Sequence, residues 1–159
     1  MMPESGQYRI LGLLGILWLS GCAGPTVDPQ GAEPDINPVL AAEHSRQALS
    51  AWKQGNHDAA VKAWRQAVAL NPDDPVAVNN LALALKAQHR FTEAADLLEQ
   101  GVARLPGVAE LHYNLAVISE LYLLDLDRAL THYRAYQHLA GEEDAEVGGW
   151  IADLERRLQ

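Results

Sequence analysis

The stretch that decides the fold is "WKQGNHDAAVKAWRQAVALNPDD", residues 52–74. Within it Ala60, Val61, Trp64, Ala67, Val68 and Leu70 recur at helical spacing, with Asp58 near the start. One apolar stripe on a polar helix is the mark of a surface helix packed against a neighbour. Asn71-Pro72 punctuates its end. The spacing predicts a helix over 58–70.

Working outward, the same pattern returns. Asn80-Leu81-Ala82 recurs 34 residues later as Asn114-Leu115-Ala116. Pro72 and Pro106 share that step, as do Ala60 and Ala94, and Ala48, Ala82 and Ala116 form a series with it. In residues 92–105, Ala94, Ala95, Leu97, Leu98, Val102 and Leu105 repeat the apolar stripe, behind Thr92 as an expected N-cap and Glu93 in the first turn. Helices are expected near 39–54, 58–70, 75–88, 92–104, 109–123 and 127–139. In a seventh, near 143–158, Val147, Trp150, Ile151, Leu154 and Leu158 share one face. Such a helix would cap the array, with Trp150 as its plug, because a repeat stack must cover its last apolar face. A period in this range marks a repeat architecture, and about three units are the minimum for a stable stack. The fold class is all-α. High alanine and a single phenylalanine fit close-packed helices better than a β-sandwich.

This period and these residues resemble the tetratricopeptide repeat, a helix-turn-helix unit of 34 residues. Its pattern has small residues at positions 8 and 20, an aromatic at 24, alanine at 27 and proline at 32. Residues 41–74 match it with Ala48, Gly55, Ala60, Trp64, Ala67 and Pro72, and 75–108 with Leu81, Ala82, Phe91, Ala94, Leu98 and Pro106. Residues 109–142 start with Leu115 and Ala116 and need one inserted residue near 120–126 to bring Ala129 and Tyr133 into register. Small residues at 48, 60, 82, 94 and 116 would let paired helices approach closely.

The amino terminus carries a second resemblance. Residues 10–19, "ILGLLGILWL", are an apolar run of about ten, too short for the roughly 20 a mature spanning helix needs. They fit the apolar core of a secretory signal. Leu19-Ser20-Gly21-Cys22 resembles the bacterial lipobox, and Cys22 is the only cysteine. The resemblance implies cleavage before Cys22 and a diacylglycerol on its thiol. Ala23 in place of aspartate implies the outer membrane, facing the periplasm. An ordinary signal peptide with a coincidental cysteine, or an uncleaved anchor, are the alternatives. Residues 22–38, rich in Pro, Gly and acid, then read as a lipidated flexible tether. The expected organisation is signal peptide 1–21, tether 22–38 and repeat domain 39–159.

Little in the chain suggests catalysis. Formal net charge is −9 and no cluster of lysine or arginine occurs, so nucleic acid is a poor partner. One cysteine excludes an internal disulfide framework and a multi-cysteine metal site. The histidines at 44, 57, 89, 112, 132 and 138 form no HExxH, and no GxSxG, Walker loop or GxGxxG is present. No cofactor beyond the covalent lipid is expected, and no enzyme.

What remains is a surface. In the family the first helices of the repeats line a groove through positions 2, 5, 9 and 12. These are Ala42, Ser45, Leu49 and Trp52, then Val76, Asn79, Leu83 and Lys86, then Glu110, Tyr113, Val117 and Glu120, with Asn80 and Asn114 beside them. An apolar strip with amides around it suits a peptide or helix with apolar anchors. Trp52 could instead be buried against residues 39–40 or a neighbouring helix. At the positions where chaperone-binding relatives clamp a carboxylate stand Ser45, Leu49, Asn80, Glu110 and Asn114, and Glu110 would repel one. The expected function is a lipid-anchored adaptor docking a protein in the envelope, assembling a pilus or secretin or recruiting a cell-wall enzyme. The alternative is a binder of cell-wall saccharide or lipid.

Overall fold

The computed structural model describes residues 36–141 and 144–159. Residues 1–35, with the signal-like segment, Cys22 and most of the expected tether, lie outside them, as do 142–143. The described residues form seven α-helices and no strand: α1 Pro38–Lys53, α2 His57–Leu70, α3 Pro75–Ala87, α4 Phe91–Arg104, α5 Ala109–Leu121, α6 Leu126–Ala140 and α7 Ala145–Arg157. Successive helices pack as pairs, α1 with α2, α3 with α4 and α5 with α6, and α3 also touches α5. The described helices thus stack as three helix-turn-helix units with α7 packed on α6.

The helix starts follow from short polar side chains. The carboxamide oxygen of Asn37 accepts the Leu40 N–H at 3.0 Å, and that of Asn56 accepts Ala59 N–H at 3.3 Å. Asp74 takes Val76 and Ala77, Asp125 takes Arg128, and Asp144 takes Glu146 and Val147. Each satisfies a donor the helix leaves orphaned. Thr92 does not do this: α4 begins one residue before it, at Phe91, and Arg90 occupies the cap position without a side-chain bond. The turn itself dictates that start. Arg90 N–H donates to the Leu85 carbonyl at 3.0 Å, repeating 34 residues on the bond from Asn56 N–H to the Ala51 carbonyl.

The same bond locates the insertion. In the third unit Asp125 N–H reaches the Ser119 carbonyl at 2.8 Å, with one more residue enclosed than in the first two. The extra residue sits in the α5–α6 turn. The turn inside each unit carries a left-handed residue. Gly55 supplies it at φ 77°, but His89 at 60° and Leu124 at 56° carry a Cβ into that region.

Small residues set the spacing of the stack. Ala48, Ala60, Ala82, Ala94, Ala116 and Ala129 are all fully buried. Gly101 belongs with them, since a Cβ there would stand 2.9 Å from Val78 Cγ1. Leu81, Leu85, Leu98, Leu111, Leu115 and Ile118 fill the space between units. A second cluster joins Ala116, Ala129 and Tyr133 to Val147, Ile151 and Leu154 of α7. Two expectations about α7 change. Leu158 lies beyond the last helical turn and is exposed. Trp150 is only half-buried, with its ring 5.4 Å from Tyr133 and 6.3 Å from Tyr113, so the aliphatic residues plug the end.

Two substitutions test this packing. Ala94→Leu is expected to overpack the α3–α4 crossing and lower unfolding free energy by about 1–3 kcal/mol in urea titration. Leu124→Gly removes a Cβ from an unfavourable conformation at an exposed site and is expected to raise stability by about 0.5–1 kcal/mol.

Candidate functional site

The first helices of the units place their exposed side chains along one face, where three clefts follow one another. The first, about 340 Å³, is lined by Leu49, Trp52, Trp64, Asn80, Leu83 and Ala84. The second, about 270 Å³, lies between Pro75, Val76, Asn79, Val108 and Glu110. The third, about 330 Å³, is formed by Asn79, Glu110, Tyr113, Asn114, Tyr136 and Asp144. The first two are mainly apolar and the third is polar and aromatic.

Trp52 ends the last turn of α1, half-buried. Its ring meets His57 at 4.3 Å edge-on and Trp64 at 5.9 Å, so it packs on its own unit's second helix rather than on residues 39–40. It still lines the first cleft, and Leu49, 45% exposed, sits one turn before it. An apolar side chain so open to water gains free energy when a partner covers it. At the far end Tyr113 contacts Tyr133, Tyr136 and Trp150, with centroids 6.4, 5.1 and 6.3 Å away. Asn114 Nδ2 donates to Asn79 Oδ1 at 2.7 Å, tying α5 to α3. Asn80 faces the first cleft instead. Ser45, Lys86 and Val117 do not line these clefts. Ser45 and Lys86 are half-buried, and Val117 packs into the second core cluster.

Several lining residues escaped the sequence reading. Tyr136 lies on α6 and Asp144 caps α7, outside the α3 and α5 residues that make the rest of the third cleft, and Trp64 of α2 reaches the first. The Tyr136 hydroxyl donates to Asp144 at 3.3 Å. Partial burial raises that phenol's pKa, and the neighbouring carboxylate raises it further. Tyr133 donates to Glu120 at 3.1 Å, and burial and then that carboxylate hold its proton firmly.

A second arrangement also lay hidden. His112 on α5 and His132 on α6 are both buried, with their Nδ1 atoms 2.9 Å apart. His112 Nε2 lies 3.2 Å from the Pro106 carbonyl, which can only accept, so His112 carries its proton there. Its bare Nδ1 then accepts from His132 Nδ1–H. Nε2 of His132 faces the Glu99 carboxylate of α4 at 3.7 Å. Burial lowers the His132 pKa, opposed by Glu99 and assisted by His112 and Arg128. Two imidazoles do not make a metal site, and no group of three metal-ligating side chains converges among the described residues.

The sequence profile of the tetratricopeptide repeat matches residues 45–109 and 79–144. The chain belongs to the tetratricopeptide repeat family. Its fold is similar to the first such domain of Spaghetti (RPAP3) bound to the HSP90 peptide SRMEEVD, with a TM-score of 0.68, 18% identity, and 79% of this chain and 98% of that one covered. It is similar to the Yersinia enterocolitica type III secretion chaperone SycD in complex with a peptide of the translocator YopD, at TM-score 0.67 and 13% identity, covering 77% and 98%. The Sgt2 domain of Aspergillus fumigatus gives 0.66 and 18% over 80% and 85%. Among curated proteins, the Drosophila melanogaster protein O-mannosyl-transferase Tmtc2 is 37% identical over 51 residues. That match covers 32% of this chain and 5% of Tmtc2.

The histidine pair makes a pH prediction. A histidine whose folded pKa is lowered binds fewer protons in the native state, so its stability contribution falls as pH drops below the ordinary value of 6.5. Melting temperature should fall between about pH 7.5 and 5.5, and His132→Asn, which keeps a donor for His112 but cannot titrate, should flatten that slope. Equal slopes would remove the pair as a source of acid sensitivity.

Proposed function

We propose that this chain is a non-catalytic adaptor, anchored by lipid at Cys22 in a bacterial envelope, that docks a segment of a protein partner in the groove of its first helices. The observation that carries the docking half is the row of three clefts with Leu49 standing open at its start. An extended or helical segment can lay apolar anchors into such a row, which is how grooves of this kind give affinity and register. Relatives of the same fold, at low identity, have peptides bound: one from HSP90 and one from the translocator YopD. The acidic SRMEEVD type of peptide does not suit this groove, because Glu110 stands where a clamp needs a cation.

The anchoring half rests on Leu19-Ser20-Gly21-Cys22 and on chain arithmetic. Each buried methylene contributes about 0.8 kcal/mol, so two or more acyl chains hold durably where one does not. Ala23 supports the outer membrane, facing the periplasm, as the site of action. Assembly of a pilus or secretin, or recruitment of a cell-wall enzyme, is the process such an adaptor would serve.

Two experiments separate the halves. Cys22→Ser should move the protein from the membrane to the soluble fraction on fractionation of expressing bacteria, and a variant that stays membrane-bound contradicts the lipid anchor. A photo-crosslinking residue at Leu49 should give adducts to one recurrent partner peptide, while one at Lys62 on α2 gives none. Adducts equal at the two positions would contradict groove docking.

A further inference from the structure

We infer that the third cleft receives a cationic side chain, so that the segment docked in the groove is basic. The inference rests on the adaptor reading and names its partner's chemistry. Six residues line the cleft: Asn79, Glu110, Tyr113, Asn114, Tyr136 and Asp144. Two are carboxylates, two are phenols, two are amides, and none is a base. Its volume of about 330 Å³ lies at the small end of ligand pockets, where one long side chain with water fits.

The two acids are held differently. Asp144 is fixed, with one oxygen taking the Glu146 and Val147 N–H groups and the other taking the Tyr136 hydroxyl. Its negative charge is therefore placed at the cleft edge by the start of α7. Glu110 is exposed on the first turn of α5 and enters no ion pair among the described residues. Arg104 pairs with Asp73, Arg134 with Glu155, and Arg157 with Glu120 and Asp153, and none pairs with Glu110 or Asp144. No cation of the described chain answers these carboxylates.

The aromatic wall completes the match. The Tyr113 and Tyr136 rings, 5.1 Å apart and inclined at 54°, line the same cleft as the two acids. An ammonium or guanidinium within about 6 Å of such a ring is attracted by its quadrupole. An anion would meet two carboxylates and the same electron-rich faces. The Asn114 to Asn79 bond leaves Asn114 Oδ1 and Asn79 Nδ2 free to pair with the backbone of a docked segment. The neighbouring cleft between Val76 and Val108 shares Asn79 and Glu110 and is apolar. A lysine or arginine beside an apolar residue therefore fits the two clefts together.

The test is panning of a random 12-residue phage-displayed peptide library on the full-length chain. Recovered peptides should be enriched in Lys or Arg next to apolar residues. As synthetic peptides in fluorescence anisotropy, they should bind Glu110→Gln more weakly than wild type and Glu110→Lys at least about tenfold more weakly, with affinity falling as salt rises. Glu110 is exposed, so circular dichroism should show both variants folded. Recovered peptides that lack basic residues, or that bind Glu110→Lys as tightly as wild type but lose affinity on Leu49→Gln, would overturn the cationic cleft and leave the adaptor reading standing. Recovery of no peptide, or of peptides insensitive to both substitutions, would overturn both.

Discussion

The rest of the structure depends on close helix approach at alanine. Each helix pair buries an alanine completely on both of its helices: Ala48 and Ala60 on α1 and α2, Ala82 and Ala94 on α3 and α4, and Ala116 and Ala129 on α5 and α6. Larger residues at those positions would push the helices apart, and interiors packed to crystal-like density do not absorb such changes freely. Bulky residues such as Leu81, Leu98 and Leu115 then fill the space between units. Each unit buries its stripe only against the next, so the fold is a one-dimensional stack whose ends need cover. At the carboxyl end α7 provides it with Val147, Ile151 and Leu154.

The groove follows from this arrangement. Because α3 touches α5, and α1 and α3 together line the first cleft, the outward residues of the first helices form a row of clefts. The row changes character along its length. At α1 and α3 it is aliphatic and indole, and at α5 and α7 it is phenolic and acidic. A segment lying in it would meet apolar surface first and negative charge last. In the proposed docking that gradient would set both direction and register, since a reversed segment would place its charge on Leu49 and Trp52. Charge at the rim acts mainly on encounter and selection, while the apolar clefts hold what has arrived.

The parts that were legible in the sequence were those with a fixed period. The alanine series at 48, 82 and 116 and the prolines at 72 and 106 state the repeat length directly. The insertion in the third unit was visible as a slip of one between Ala94 and Ala129, and the turn bonds place it between Ser119 and Asp125. Thr92 misled because a good capping residue lay next to a start that the preceding turn had already set. Groove residues on the first helices could be numbered from the period, and Leu49, Trp52, Asn79, Asn80, Leu83, Tyr113 and Asn114 do stand in clefts. Tyr136 and Asp144 could not be numbered so, since one lies on α6, a second helix, and the other caps α7. The His112–His132 contact has no sequence signal either, being a meeting of two helix faces 20 residues apart.

The proposed docking puts recognition on the face of the first helices. Nuclear magnetic resonance of the isotope-labelled chain titrated with its docked segment tests it most directly. The side-chain amides of Asn79 and Asn114 and the backbone amides of α1, α3 and α5 should shift together, with α2 and α4 largely unmoved. Shifts confined to α2, α4 and α6, with the two asparagine amides unchanged, would contradict it.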